Sequence, residues 1–259
     1  MTGTGETAMP GSILIMAAVT EELAGLRNRL HPRRGSRRAL KTVARGELGG
    51  RPVRLLETGP GVINTARALT AAIEAETPTL VIQTGCAGGF SPPGMAPGDI
   101  GIATKEIDAQ LGVEIPGTQE VAPLPRSIIP KSAASSGSAY PIDPLRVEKA
   151  RRVLQGEFAA DAVKIVTGPF ITVSTITVSD ARVRAYCRAY RPIMENMEGA
   201  AAAHVCRHYG VPFLEIRSAS NRVGCRNKKE WDLPLAFKQA SRAVLALVKA
   251  AGAGPAGDK

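Results

Sequence analysis

The stretch Glu195-Asn196-Met197-Glu198-Gly199-Ala200-Ala201-Ala202-Ala203-His204-Val205-Cys206-Arg207-His208-Tyr209-Gly210-Val211-Pro212-Phe213-Leu214-Glu215-Ile216-Arg217-Ser218-Ala219-Ser220-Asn221 decides the fold. The alanine run is a strong helix former, and Gly210 with Pro212 ends the helix and admits a strand. The spacing predicts a helix from Glu198 to Tyr209 and a strand from Phe213 to Ser218. An acid, Glu198, therefore opens the helix, and an amide, Asn221, follows the strand.

Outward from this unit the same alternation recurs. Short β-prone runs at Ser12 to Val19, Val53 to Thr58, Thr79 to Gln83, Asp99 to Ala103 and Val163 to Thr167 read as strands. Amphipathic segments near Glu21 to Leu30, Gly61 to Glu76, Pro144 to Gln155, Ala181 to Tyr190 and Pro234 to Lys249 read as helices. Alternating strands and helices predict a three-layer α/β/α sandwich around a central mixed β-sheet.

A chain of 259 residues, 44% hydrophobic, has enough apolar content for one sizeable core. Residues 12–250 read as a single domain between a polar, Gly/Thr-rich leader (1–11), expected to be disordered, and a flexible tail (251–259). Pro116 to Tyr140, rich in Pro, Ser and Ala, is too long for a plain connection and reads as a surface excursion that serves as a substrate lid. No apolar run approaches a membrane span, and Ile13 to Val19 is followed by Glu21 and Glu22 rather than a cleavage site, so the expected location is the cytoplasm.

Four cysteines without a Cys-x-x-Cys pair fit reduced thiols. His204 and His208 have the i, i+4 spacing of a metal pair but no accompanying HExxH pattern, so neither metal nor cofactor is expected. The net charge of +10 attracts anions, nucleic acid or small acidic ligands alike. Much of it lies in Arg27 to Arg38, which lacks the interleaved aromatics that stack bases and reads as a solvated helix end and loop.

Two glycine clusters follow predicted strands. Gly59-Pro60-Gly61-Val62-Ile63-Asn64-Thr65 opens a helix where a phosphate turn would sit, but Asn64 replaces the third glycine of G-x-G-x-x-G. It reads as a tight turn bringing backbone close to a ligand or a partner chain. Thr84-Gly85-Cys86-Ala87-Gly88-Gly89-Phe90 puts small residues at the end of a buried strand, where backbone groups are open to a ligand. Cys86, Ala87 and Gly88 are the candidate binding residues there.

Four segments together resemble the nucleoside phosphorylase/nucleosidase superfamily, and within it the futalosine hydrolases. Ala18-Val19-Thr20-Glu21-Glu22 is similar to the Ala-Met-Glu-Glu-Glu opening of 5′-methylthioadenosine/S-adenosylhomocysteine nucleosidases, and Thr84 to Phe90 to their Thr-Gly-Ser-Ala-Gly-Gly turn. Asn196-Met197-Glu198-Gly199 resembles Glu-Met-Glu-Ala, and Arg217 to Asn221 with Val223-Gly224, Arg226 and Trp231 looks like the futalosine hydrolase version. Gln110, where that pattern expects Asp, departs from it.

The resemblance implies hydrolysis of an N-ribosidic bond, with Glu22 as the base that activates water, Glu198 accepting from the ribose diol and Met197 packing on the sugar. Phe170 and Ile171, read as following a strand that ends at Thr167, would offer a ring for purine stacking and backbone for its edge. At 221 adenine-cleaving relatives carry Asp, which protonates N7. Asn221 cannot act as an acid, but it can accept from a protonated N7 and donate to a 6-oxo group, which suits hypoxanthine. A carboxylate at 22 would repel phosphate, so hydrolysis is expected over phosphorolysis. The implied partner is a small purine nucleoside, futalosine first, and the implied assembly a homodimer. A methylthioadenosine/aminodeoxyfutalosine or relaxed purine nucleosidase, and a non-enzymatic nucleic-acid-binding domain, are the alternatives.

Overall fold

The structure, a computed structural model, describes residues 11–31, 43–91, 93–118, 120–122, 124 and 138–252. All but Gly11 of the expected leader, all but residues 251–252 of the tail, the basic run beyond His31 and most of the 116–140 excursion lie outside these residues.

In chain order the elements are β1 (Ile13–Ala17), α1 (Thr20–Arg27), β2 (Val43–Leu48), β3 (Arg51–Glu57), α2 (Val62–Ala75), β4 (Leu80–Gln83), β5 (Cys86–Gly89) and β6 (Ile100–Asp108). Then come β7 (Val113–Glu114), β8 (Val121–Ala122), β9 (Ala139–Pro141), α3 (Pro144–Glu157), β10 (Ile165–Thr172), α4 (Asp180–Tyr190), β11 (Met194–Asn196), α5 (Gly199–His208), β12 (Phe213–Arg222) and α6 (Leu233–Gly252).

The main sheet runs β2-β3-β1-β4-β12-β5-β11-β10-β6-β9, and β6 also pairs with β12, so its second half closes on itself. Pairing is mixed: β1 is parallel to β3 and β4, while β5 with β11 and β6 with β12 are antiparallel. The central strands are buried on both faces. In β1, Leu14 and Met16 enter one core with α2, α3 and α5 residues, while Ile13, Ile15 and Ala17 enter another with α1 and α6. The period-2 alternation thus feeds two layers of helices, giving the α/β/α sandwich with its mixed sheet.

Several strands have no apolar signature. β5 consists of Cys-Ala-Gly-Gly, a poor strand sequence that reads as a turn, yet it is held between β12 and β11. The three-residue β11 likewise exists because neighbouring strands supply ladder partners, and β6 runs past the expected end at Ala103 to Asp108 for the same reason. No helix among the described residues is long and apolar enough to cross a membrane.

Candidate active site

The carboxyl ends of β1 and β12, strand β5 and the link from β11 into α5 surround a cavity of about 230 Å³. Glu22, Cys86, Ala87, Gly88, Met197, Glu198 and Asn221 all line it, although they come from four distant stretches of chain. Phe170 and Ile171 do not. β10 continues past Thr167 through an irregularity at Gly168/Pro169 and runs to Thr172, which makes both residues interior strand positions. Phe170 is fully buried beside Met194 against Gly101, and Ile171 packs with Phe90, Tyr186 and Val223. The expectation of a stacking ring at 170 is therefore corrected. The apolar wall comes instead from Ile176, Trp231 and Leu233.

Glu22, in the first turn of α1, folds back so that Oε2 accepts from Ala18 N (2.9 Å) and Val19 N (3.2 Å). Its Oε1 accepts from Cys86 N (2.9 Å), tying α1 to β5. Gly85, at φ +134°, is obligatory here, because a Cβ would strike the Glu22 carboxylate. Three backbone donors thus fix the carboxylate in the cavity wall, with one lone pair, on Oε1, left for a water. Cys86 offers no competing nucleophile: burial, and then the neighbouring Glu22 charge, push its thiol up to about 12.

Glu198 stands at the head of α5, 4% exposed. Oε1 accepts from Gly61 N (3.0 Å) and Oε2 from Arg217 Nη2 (3.0 Å). The turn at 59–61 therefore delivers a backbone N–H to this carboxylate. Arg217, 1% exposed, also donates Nε to Glu215 Oε1 (2.7 Å) and Nη1 to Cys86 O (3.0 Å). Its burial disfavours the charge, but Glu215, Glu198 and Glu22 more than offset this and hold its pKa above the ordinary arginine range. Sequence alone assigns Arg217 no role: only the fold shows that its strand position faces Glu198.

Asn196 organises the helix entry. Its Oδ1 accepts from Glu198 N (2.9 Å) and Gly199 N (2.7 Å), capping two open donors of α5. Nδ2 donates to Glu106 Oε1 (2.9 Å), and Thr172 Oγ1 donates to Glu106 Oε2 (2.8 Å) while accepting from Ala200 N (2.8 Å).

At the opposite wall Asn221 Oδ1 accepts from Ser220 Oγ (2.8 Å) and Nδ2 donates to Arg222 O (3.0 Å). One N–H and one lone pair remain for a ligand. Glu195 and Asn221 both pair with Gly88, from strands on either side of it. Residues paired across a sheet share a face, so these two flank one slot. Glu195 Oε1 accepts from Thr177 N (3.0 Å), while Oε2 is buried and makes no hydrogen bond. Desolvation by burial raises the Glu195 pKa. Gln110 Oε1 accepts from Ser174 N (2.6 Å), so Gln110 and Glu195 together hold the segment carrying Ile176.

A larger cavity, about 310 Å³, lies at the amino ends of β1, β4 and β12 under α3 and α6. It is walled by Ile13, Leu80, Leu214 and Leu247 with Asp143, Arg146 and Lys149, and holds none of the carboxylates above. Among the described residues no cluster of His, Cys, Asp and Glu is disposed to hold a metal, and His204 packs edge-on to Tyr140 at 5.6 Å.

The model of the phosphorylase superfamily matches residues 12–251. The 5′-methylthioadenosine/S-adenosylhomocysteine nucleosidase of Chromohalobacter salexigens is 32% identical over 225 residues, spanning 85% of this chain and 87% of that protein. The futalosine hydrolase of Thermus thermophilus is 30% identical over 198 residues, 76% of this chain and 81% of its own. Among solved structures, the nucleosidase of Colwellia psychrerythraea in complex with adenine superposes with a TM-score of 0.77 at 24% identity, over 93% of this chain and 95% of that one.

Proposed function

The chain belongs to the phosphorylase superfamily and is a nucleosidase, an N-glycosidic bond hydrolase, and we propose that the nucleoside it cleaves is a 6-oxopurine nucleoside, futalosine first. The observation that carries this reading is Asn221, an amide with one donor and one acceptor free at the cavity wall.

Cleavage builds positive charge on the sugar and negative charge on the leaving base, so stabilisation is needed at both ends. In this reading the Glu22 carboxylate takes the proton of a water as it attacks the anomeric carbon. Glu198 accepts from the 2′- and 3′-hydroxyls, and Met197 packs on the sugar. Asn221 donates to O6 and accepts from N7–H once N7 has taken a proton from solvent, which balances the proton that Glu22 removes from the attacking water and later returns to solvent. Across the slot, the Glu195 carboxylate, on turning its partnerless and buried Oε2 out of the wall, accepts from N1–H of a 6-oxopurine, a donor that adenine does not carry. The products are hypoxanthine and the free sugar-bearing acid.

The 5′ substituent supports futalosine over smaller nucleosides. Trp231 and Leu233 line the cavity, and the Arg226 guanidinium lies 5.4 Å from the Trp231 ring centre. An arginine held on an aromatic face suits an aryl carboxylate. Futalosine hydrolysis would place the enzyme in menaquinone synthesis in the cytoplasm.

A second reading, hydrolysis of 5′-methylthioadenosine, is favoured by the greater length over which that relative matches. Incubating the purified enzyme with futalosine, inosine, aminodeoxyfutalosine and 5′-methylthioadenosine, with and without phosphate, separates the two. Release of hypoxanthine from futalosine, independent of phosphate, is expected; release of adenine alone would overturn the Asn221 argument.

Two copies are proposed to pair through α2 and α5, because Ile63 is 81% exposed beside the small side chains of Ala66, Ala200 and Ala201. A one-chain mass by sedimentation would remove that assembly.

A further inference from the structure

Behind the sugar-facing carboxylate lies a second pair of acids. Glu106 on β6 and Glu215 on β12 are both 0% exposed, and neither lines the cavity. A Cβ placed on Gly199 would strike Glu106 Oε1 and Glu215 Oε2 together, so the two carboxyl groups meet under the first residue of α5. We propose that Glu106 and Glu215 hold a single proton between them, and that this carboxyl–carboxylate pair positions Arg217, and through it Glu198, for the sugar.

Hydrogen-bond accounting requires the proton. Glu215 Oε1 is used by Arg217 Nε, but Oε2 is buried and has no donor. Glu106 accepts from Asn196 Nδ2 and Thr172 Oγ1, and it is the group that faces Glu215 Oε2. Two bare carboxylates in contact would repel in a medium that screens poorly, and Oε2 would stay unpaired. One proton on Glu106 turns the contact into an O–H···O⁻ hydrogen bond and closes the network.

Charge accounting agrees. Arg217 is flanked by Glu215 on its own strand, Glu198 at the head of α5 and Glu22 on α1, with Glu106 from β6 behind Glu215. One guanidinium cannot balance four carboxylates, and Glu106 is the one of the buried pair that makes no hydrogen bond to Arg217. Burial, and then the charge of Glu215, hold the Glu106 pKa well above the usual carboxylate range.

The proton leaves Glu215 with its charge directed at Nε, which fixes the guanidinium plane. The remaining nitrogens are then aimed at Cys86 O and Glu198 Oε2. Loss of the proton would put a second charge behind Glu215 and loosen that aim. Neither acid touches the sugar, so both are positioning residues. The inference rests on the proposed sugar contact of Glu198, and not on which base the substrate carries.

The test uses the full-length enzyme and two isosteric variants, each checked by thermal melting. Glu106→Gln imitates the protonated acid. It should keep kcat and KM within about threefold of wild type at neutral pH and abolish the alkaline fall in kcat/KM. It should also delete a protonated-carboxyl carbonyl band from the infrared spectrum of the wild type at neutral pH. Glu215→Gln removes the charge that aims Arg217 and should raise KM about tenfold or more, with a smaller change in kcat. An unchanged infrared band in Glu106→Gln, an unchanged alkaline limb, or a KM rise equal to that of Glu215→Gln would overturn the proposal. Should Glu215→Gln not fold, the band and the pH profile of Glu106→Gln decide alone. The infrared arm needs no substrate, so it decides whether the proton is shared even where the proposed sugar chemistry fails.

Discussion

The two ends of the cavity are built in opposite ways. At the proposed sugar end every oxygen of Glu22 and Glu198 has a fixed donor, and Arg217 is bonded through all three nitrogens. At the base end Asn221 keeps a donor and an acceptor free, and Glu195 keeps a buried oxygen without a partner. The charged groups proposed to act on the sugar are over-determined, whereas the groups proposed to select the base are neutral or half-satisfied. The difference implies that rate and stability reside at one end and substrate choice at the other, and each can be altered without the other.

The largest effect should come from the sugar end. Glu22→Gln keeps the shape and, with its oxygen toward Ala18 and Val19, two of the three backbone bonds, but it loses the bond from Cys86 N and cannot take a proton, so kcat should fall about 10³-fold while hypoxanthine still binds. Single-turnover rates and calorimetry of base binding measure the two parts. An unchanged rate would remove Glu22 from the chemistry.

Arg217→Ala should be nearly as severe, but in stability. It leaves Glu198 and Glu215 buried without their cation, a change that costs about 3–5 kcal/mol. Denaturant unfolding of wild type and variant gives the difference, and a loss below about 1 kcal/mol would show that the network is not the tightly held end.

Asn221→Asp tests the open end. An aspartic acid can give a proton to N7, so the kcat/KM ratio of 5′-methylthioadenosine to futalosine should shift at least about tenfold toward the adenine nucleoside. Unfolding should lose only about 1–3 kcal/mol, from the Nδ2 bond to Arg222 O, less than Arg217→Ala loses. A large stability loss with no change in preference would erase the contrast between the ends.

The two ends are legible in the sequence to different degrees. Periodicity and breakers locate the helices and the long apolar strands, because burial on a sheet or helix face imposes a repeat on the residues. Glu22, Glu198 and Asn221 can be found because their motifs lie at element ends. Arg217, Glu215 and Glu106 cannot, because their meaning depends on β6 pairing with β12 and on α5 starting at a glycine, contacts across about a hundred residues of chain. Phe170 is misplaced by sequence for a related reason: Gly168-Pro169 looks like a strand end, yet the neighbouring strands carry the ladder through it. Glu195 lies in the decisive stretch without a readable role, since its place opposite Asn221 exists only through the shared pairing with Gly88.

The smallest effect is the one that ties stability to the locked end. Glu106 is an acid whose pKa is raised by folding, so between its unfolded and folded pKa values the native state binds more protons than the unfolded chain. The slope of unfolding free energy with pH is then negative: this contribution is whole below the unfolded carboxylate range and is lost as pH rises through the folded pKa. One full proton corresponds to about 1.4 kcal/mol per pH unit at 25 °C. Glu195, also raised by burial, adds a slope of the same sign at the base end. Glu106→Gln should therefore flatten the stability-versus-pH curve on its alkaline side relative to wild type. Glu195→Gln should flatten it less, since the Thr177 bond and the Arg182 charge favour the ionised form of Glu195, whereas the Glu215 charge opposes that of Glu106. Equal flattening by the two variants would mean that the proton is held no more firmly behind the sugar than beside the base, and the asymmetry between the two ends would fail at its most sensitive point.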